Sequence, residues 1–138
     1  MILQSTPVLF VQDIPASEHF FAKLGFKRTV EVSHGGGLGF VIMTQAGEGG
    51  GDGGLGIMLQ TATSATDDTG LDPKHFGQGA HLFMSVADLG AAEKALGEFE
   101  VFLTRRDTFY GATEIGWREP GGNYVTIAQM GANSPDEA

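Results

Sequence analysis

The chemistry open to this chain depends first on its four histidines and on the absence of cysteine. His81 is the strongest single candidate for a functional side chain, because a lone imidazole can hydrogen-bond a ligand or titrate near neutral pH. His19, His34 and His75 fall on a predicted helix, a glycine-rich loop and a connecting segment, without the spacing of metal ligands. We expect these three at the surface. The lack of cysteine excludes disulfides, thiolate metal sites and cysteine nucleophiles.

Tyr110, Glu114 and Arg118 form a second group of candidates. Glu114 and Arg118 lie four residues apart in one predicted strand, so they share a face of the sheet. They are too far apart for a direct ion pair to be assumed. They could anchor opposite ends of a ligand, or one of them could belong to a dimer interface.

Two weakly similar halves of the chain position these candidates. Residues 7–14 (PVLFVQDI) align with residues 82–89 (LFMSVADL) at an offset of 75, which places Asp13 on Asp88. Each aspartate follows a short apolar strand and precedes a helix, where its carboxylate can accept hydrogen bonds from free amides of the first turn. We interpret both as helix N-caps rather than catalysts.

The remaining elements follow from periodicity and from glycine and proline signals. Helices are predicted at residues 16–24 and 89–96. Strands are predicted at residues 6–11, 28–32, 38–44 and 55–61 in the first half, and at 80–86, 101–104, 112–118 and 124–128 in the second. Residues 62–79 connect the halves, as a plain linker or as a lid. Glu119 to Asn123 form the final hairpin turn.

Composition narrows the class of protein. The 138 residues fit a single domain, and 41% hydrophobic content suffices for a core. Seventeen acidic against eight basic residues give a net charge of -9, which argues against nucleic-acid binding but leaves a cationic ligand open. No signal or membrane-spanning segment is recognisable, so a cytoplasmic protein is expected. Residues 47–54 are expected to form a flexible acidic loop and not a phosphate-binding loop, because the lysine of that motif is missing.

Several motifs together resemble one family. They are Val11 to Pro15 (VQDIP), Phe20-Phe21 with Leu24-Gly25-Phe26, His81 ahead of Val86 to Leu89 (VADL), Tyr110-Gly111, and Glu119 to Asn123 (EPGGN). In order and spacing they resemble the vicinal oxygen chelate superfamily, which includes glyoxalases, bleomycin-resistance proteins, fosfomycin-resistance enzymes and extradiol dioxygenases.

The resemblance implies an α+β fold in which two βαβββ modules form a curved mixed sheet. Its concave cup would hold the ligand and would often be completed by a second subunit in a homodimer. On this basis the single domain divides into a first module at 1–61, a linker at 62–79, a second module at 80–130 and a flexible tail at 131–138.

The resemblance also locates the four positions that hold a divalent metal in the enzymes of the superfamily. They correspond here to Thr6, Met58, His81 and Thr126. Zinc, iron or manganese needs about three imidazole or carboxylate ligands, and of these four residues only His81 qualifies. A register slip could bring Gln60 into the position of Met58, but a neutral amide would not restore the site. We therefore expect no metal and no other cofactor.

Strand alternation from these positions predicts the side chains that line the cup. Trp117 then faces the helices, unless a bulge turns it toward the ligand, and Phe83 is expected to be buried in a packed cup. His81 either binds the ligand or forms a hydrogen bond with Thr6 or Thr126 across the cup. The predicted ligand-binding residues are Thr6, Val8, Phe10, Phe40, Met58, Gln60, His81, Phe83, Ser85, Tyr110, Glu114, Arg118, Tyr124 and Thr126.

The chain most resembles the bleomycin-resistance branch, whose members also lack the metal set and sequester a bulky cationic drug. The resemblance implies a metal-free, homodimeric protein that binds an aromatic or cationic drug-like molecule, with neither nucleic acid nor membrane as partner. The main alternative is a metal-dependent lyase, dioxygenase or thiol transferase with a non-standard site around His81. Metal-free acid-base chemistry by His81 with Glu114 or Tyr110, and a purely structural or protein-interaction module, are two further readings.

Overall fold

Each half of the chain folds into one βαβββ module, as the sequence repeat predicts. The computed structural model describes residues 1–45, 54–76 and 79–131. The first module contains β1 (Val8–Phe10), α1 (Ile14–Ala22), β2 (Lys27–His34), β3 (Gly37–Gln45) and β4 (Leu55–Gln60). A connecting helix α2 (Ala62–Thr69) and a 3-10 turn (Pro73–His75) follow. The second module contains β5 (His81–Ser85), α3 (Leu89–Ala95), β6 (Glu100–Asp107), β7 (Ala112–Arg118) and β8 (Tyr124–Met130).

The two modules form separate four-stranded sheets with the same topology. Their strand orders are β1-β4-β3-β2 and β5-β8-β7-β6. In each sheet the first and last strands of the module pair in parallel, and the other neighbours are antiparallel. The registers match, since Val8 lies opposite Met58 and its repeat equivalent Phe83 lies opposite Thr126. The α+β class and the mixed sheets predicted from the sequence are therefore confirmed.

Equivalent N-caps start the helix of each module. Asp13 Oδ1 accepts a hydrogen bond of 3.3 Å from the Ala16 amide, and Asp88 Oδ1 accepts one of 3.2 Å from the Ala91 amide. These bonds satisfy first-turn amides that have no partner inside a helix. Both aspartates are thus occupied in starting helices, as predicted.

One hydrophobic core lies on the helix side of both sheets. Alternate residues of the strands are buried there, including Val41 and Leu59 in the first module and Val125 and Ile127 in the second. Trp117 is only 1% exposed and belongs to this core, as the alternation predicts. Phe20 of α1 makes an edge contact with Phe99, 4.9 Å between ring centroids, across the two modules. Burial of this shared face is what holds the modules together.

The segment between the modules contains a helix that the sequence analysis did not predict. Thr61 caps α2 through a 3.3 Å hydrogen bond from the Ser64 amide, and Gly70 ends it with φ of 77°. Its residues ATSATDDT carry too few apolar side chains for a helical pattern. After it, Phe76 packs on Phe10 with ring centroids 4.4 Å apart. The connection therefore packs against the first sheet.

Two expectations fall largely outside the described residues. These are the flexible loop at 47–54, apart from Gly54, and the flexible tail at 131–138, apart from Gly131. Within the described ranges, none of the helices has the length and apolar character needed to cross a membrane.

Candidate functional site

The predicted ligand-binding residues lie mainly on the sheet faces opposite the core, which we call the cup faces. On the first cup face, Val8 and Met58 form one cross-strand pair, and Phe10 and Gln60 form the next. Gln60 Nε2 donates a 3.1 Å hydrogen bond to Ser64 Oγ of α2. Phe40 lies opposite Gln60 on β3, and Thr6 lies beside Gly56 just before β1. This face is mostly apolar and partly exposed.

An aromatic cluster occupies the second cup face. The His81 ring lies 5.7 Å from that of Phe102 and 6.2 Å from that of Tyr124, and Phe102 and Tyr124 are 4.9 Å apart. His81 Nε2 shares a hydrogen bond of 2.7 Å with Thr126 Oγ1, which is buried. Two aromatic rings and one imidazole therefore meet on the same patch of sheet.

Phe102 belongs to this aromatic cluster, although it was not among the predicted ligand-binding residues. A register irregularity between Val101 and Leu103 turns the Phe102 ring across β7. The ring lies so close to Gly116 that a Cβ there would come within 2.6 Å of it. Strand alternation alone could not place Phe102, because a bulge shifts the alternation. Gly116 in the middle of a strand was the signal, since such a glycine often marks the close approach of another group.

Glu114 forms a polar group at the other end of this cup face. Its Oε1 accepts hydrogen bonds from the Tyr110 hydroxyl at 3.2 Å and from Arg106 Nη2 at 3.4 Å. Glu114 is 3% exposed, whereas Tyr110 and Arg106 are exposed above it. Arg106 was not among the predicted residues. The pairing of β6 is irregular between Leu103 and Arg106, so strand alternation does not show on which face of the sheet Arg106 lies.

Arg118 and Glu114 contact different partners. The Arg118 guanidinium lies over the Tyr124 ring, 5.8 Å from its centroid, which is within the range of a cation-π interaction. Arg118 is thereby held at the end of the aromatic cluster, while Glu114 lies four residues away beneath Tyr110.

Phe83 and Ser85 are exposed on β5. Phe83 is 53% exposed, so the expectation that it is buried in a packed cup is wrong for the single chain. Phe83 lies opposite Thr126 of β8. Its ring is on the open side of the face.

The predicted residues divide between the two cup faces. Among the described residues, their side-chain hydrogen bonds and ring contacts stay within one module or reach the connecting segment.

The larger cavities lie where the modules meet. One of about 490 Å³ is lined by Phe10 and Phe76, and one of about 460 Å³ by Phe83 and Ser85. Tyr124 and Arg118 line a third cavity of about 580 Å³.

The four positions matched to a metal site do not fit a catalytic divalent ion. His81 is hydrogen-bonded to Thr126, and Thr6 and Met58 offer only a hydroxyl and a thioether. Across residues 1–45, 54–76 and 79–131, no group of three or more histidines, cysteines, aspartates or glutamates is arranged to hold a metal. The donor chemistry of this site therefore suits an organic ligand better than a metal ion.

The fold and these faces define a two-module βαβββ protein with a cluster of aromatic side chains on one sheet face. The chain belongs to the Glyoxalase/Bleomycin resistance protein/Dioxygenase superfamily, whose family model matches residues 4–127. No curated protein sequence matches the chain.

Solved structures of this superfamily have the same fold. A bleomycin resistance determinant encoded on the transposon Tn5 is 18% identical, with a TM-score of 0.62 over 94% of this chain and 98% of the other. Lactoylglutathione lyase from Agrobacterium tumefaciens is 17% identical, with a TM-score of 0.67 over 94% and 95%. A bleomycin-binding protein complexed with bleomycin is 18% identical, with a TM-score of 0.60 over 93% and 98%. At these identities the likeness is one of fold.

Proposed function

We propose that this protein is a metal-free small-molecule binding protein that sequesters an aromatic or cationic drug-like ligand. The observation that carries the proposal is the cluster of His81, Phe102 and Tyr124 over the buried Thr126. Aromatic faces with one or two polar groups are typical of sites that bind planar organic molecules. Among the described residues this patch holds one imidazole, that of His81, and no carboxylate, whereas a catalytic metal needs about three such ligands.

Acid-base catalysis by His81 and Glu114 is less well supported. His81 lies opposite Tyr124, whereas Glu114 lies opposite Ala128, and β8 separates the two strands. Tyr124 and Ala128 are four residues apart, which corresponds to about 13 Å along a strand. The two groups therefore do not converge on one reacting atom.

A homodimer is part of the proposal. Both cup faces of the single chain expose large apolar side chains, among them Val30, Val32, Phe83 and Phe102. Exposed apolar residues grouped on one face are typical of interaction surfaces. A second copy would cover them and enclose the ligand between two chains. The cytoplasmic location stays a prediction.

Calorimetric titration with bleomycin and with smaller aromatic cations tests the function. The metal content of the purified protein is measured on the same sample. We expect binding without stoichiometric metal and about 10-fold weaker binding by Phe102→Ser, since the lost stacking, about 0.5–1.5 kcal/mol, adds to the lost apolar contact of the ring. Leu71→Ser is the matched control, because Leu71 is also an exposed large apolar residue but lies in the connecting segment.

Three results would contradict the proposal. Stoichiometric metal with turnover of a bound ligand would indicate an enzyme of the same superfamily. Failure of every probe to bind or to raise the melting temperature would indicate a structural or protein-interaction module. Equal loss of affinity in both variants would place the ligand outside the aromatic cluster.

A further inference from the structure

Glu114 is a buried carboxylate whose hydrogen bonds are incomplete. The residue is 3% exposed, and both of its contacts, from Tyr110 and Arg106, go to Oε1. Oε2 has no hydrogen-bond partner among the described residues. A carboxylate can accept about four hydrogen bonds, so Oε2 has room for further donors. Oε2 is not among the fully buried atoms that lack a partner, so it is open to a donor from solvent or from a ligand.

The positions directly beside Glu114 on β7 and β8 offer no other side-chain donor. Its cross-strand partner on β8 is Ala128, and the residues two positions away on its own strand and face are Ala112 and Gly116. All three lack a polar side chain. A further donor can therefore reach Oε2 only from the open side of the cup face.

Arg106 does not neutralise Glu114 fully. A single nitrogen approaches Oε1 at 3.4 Å, and the Arg106 side chain is 57% exposed. A single contact at 3.4 Å is weaker than a bidentate arginine-carboxylate pair. Because the carboxylate is buried, the arginine leaves it only when another cation takes its place, and a ligand cation that makes a closer contact can do so.

Glu114 is also at a suitable distance from the aromatic cluster. The Phe102 ring lies on Gly116, two residues along β7. That separation is about 7 Å. A rigid ligand could place its ring against Phe102 and a nitrogen group on Glu114 at the same time.

We infer that Glu114 binds the cationic nitrogen of the ligand, with Tyr110 positioning the carboxylate. The ligand class is a flat aromatic system that carries a protonated amidine, guanidine or amine about 7 Å from the stacking ring. This inference rests on the proposed binding function and specifies which ligands it favours.

The test compares three probes that share one ring system and differ in the end group: 2-(4-amidinophenyl)indole, 4-(indol-2-yl)benzamide and 4-(indol-2-yl)benzoate. Their dissociation constants are measured by calorimetry on the full chain and on Glu114→Gln. We expect the amidine to bind at least about 10-fold tighter than the amide to the parent protein, and this preference to disappear in Glu114→Gln. Glu100→Gln is the matched control, since Glu100 lies at the other end of the second sheet, opposite Arg118.

Arg106→Ala is a second variant, and it tests the inference without changing the buried Glu114. Removal of the competing guanidinium should tighten amidine binding by about 3-fold and leave the amide unchanged. Tighter binding of the carboxylate, or an unchanged amidine preference in Glu114→Gln, would overturn the inference while leaving the binding function intact. If none of the three indoles and no bleomycin bind, the proposed function itself fails.

Discussion

His81 Nε2 and Thr126 Oγ1 lie 2.7 Å apart and connect the first and last strands of the second module. The equivalent positions of the first module, Thr6 and Met58, cannot form such a pair, because a thioether is a weak acceptor and no donor. The bond leaves one nitrogen of the His81 ring for a ligand. The His81–Thr126 pair makes the second cup face more polar than the first at these equivalent positions.

Replacement of His81 by alanine should weaken ligand binding and leave the fold intact. The variant loses the imidazole and leaves the buried Thr126 hydroxyl without its partner, which costs about 1–2 kcal/mol of unfolding free energy. Urea unfolding and titration with bleomycin measure the two effects. His19→Ala is the control, since His19 is an exposed residue of α1 paired with Glu98. An unfolded His81→Ala protein would mean that His81 is structural.

Replacement of Gly116 by alanine should displace Phe102. The new Cβ would come within 2.6 Å of the Phe102 ring and 2.9 Å of Leu103 Cβ. We expect a loss of about 1–3 kcal/mol in urea unfolding, because overpacking forces neighbours out of place. At Gly56 the nearest atom would be 3.7 Å away, so Gly56→Ala is the matched control. Equal stability of the two variants would show that Phe102 does not rest on Gly116 in solution.

Replacement of Glu119 by glutamine should destabilise the final turn. The buried Glu119 carboxylate accepts three hydrogen bonds, from the Gly121 amide and from the main-chain and side-chain nitrogens of Asn123. A glutamine would direct an NH₂ group at one of these donors, at a cost of about 2–3 kcal/mol. Urea unfolding of Glu119→Gln measures this loss of stability, and Glu100→Gln, at an exposed position, is the control. A loss as small as that of the control would contradict this arrangement.

Replacement of Ser17 by alanine should be neutral or stabilising. Ser17 is fully buried in α1, and its Oγ has no hydrogen-bond partner among the described residues. Alanine removes the unsatisfied hydroxyl and has the higher helix propensity. The change in melting temperature checks this prediction. A destabilisation above about 1 kcal/mol would mean that the hydroxyl has a partner in solution.

A lysine at Phe83 should weaken the proposed dimer. Phe83 stands exposed on the second cup face, where a partner chain would have to bury the new charge. Light scattering after gel filtration should give the mass of one chain for Phe83→Lys and of two chains for the parent protein. Leu71→Lys, which alters an exposed residue of the connection, should stay dimeric. A monomeric parent protein would remove the basis for this prediction.

Local patterns in the sequence were sufficient for most of the fold. The repeat of strand, aspartate cap and helix predicted both modules, because Asp13 and Asp88 have to satisfy first-turn amides wherever such a helix begins. Strand alternation placed Trp117 in the core, since side chains of a strand point to opposite faces. Helix α2 was missed because its polar residues carry no apolar period, and its cap at Thr61 and contacts to the first sheet stabilise it.

The sequence by itself determined the family, the two-module plan and the lack of a metal-ligand set at the matched positions, because these depend on residue types at fixed spacing. Only the tertiary structure decided which side chains meet on the second cup face. Phe102 and Arg106 follow irregular pairings in β6, which break the alternation on which any sequence argument relies. The burial of Glu114 and the exposure of Phe83 likewise depend on neighbouring strands and not on spacing along the chain.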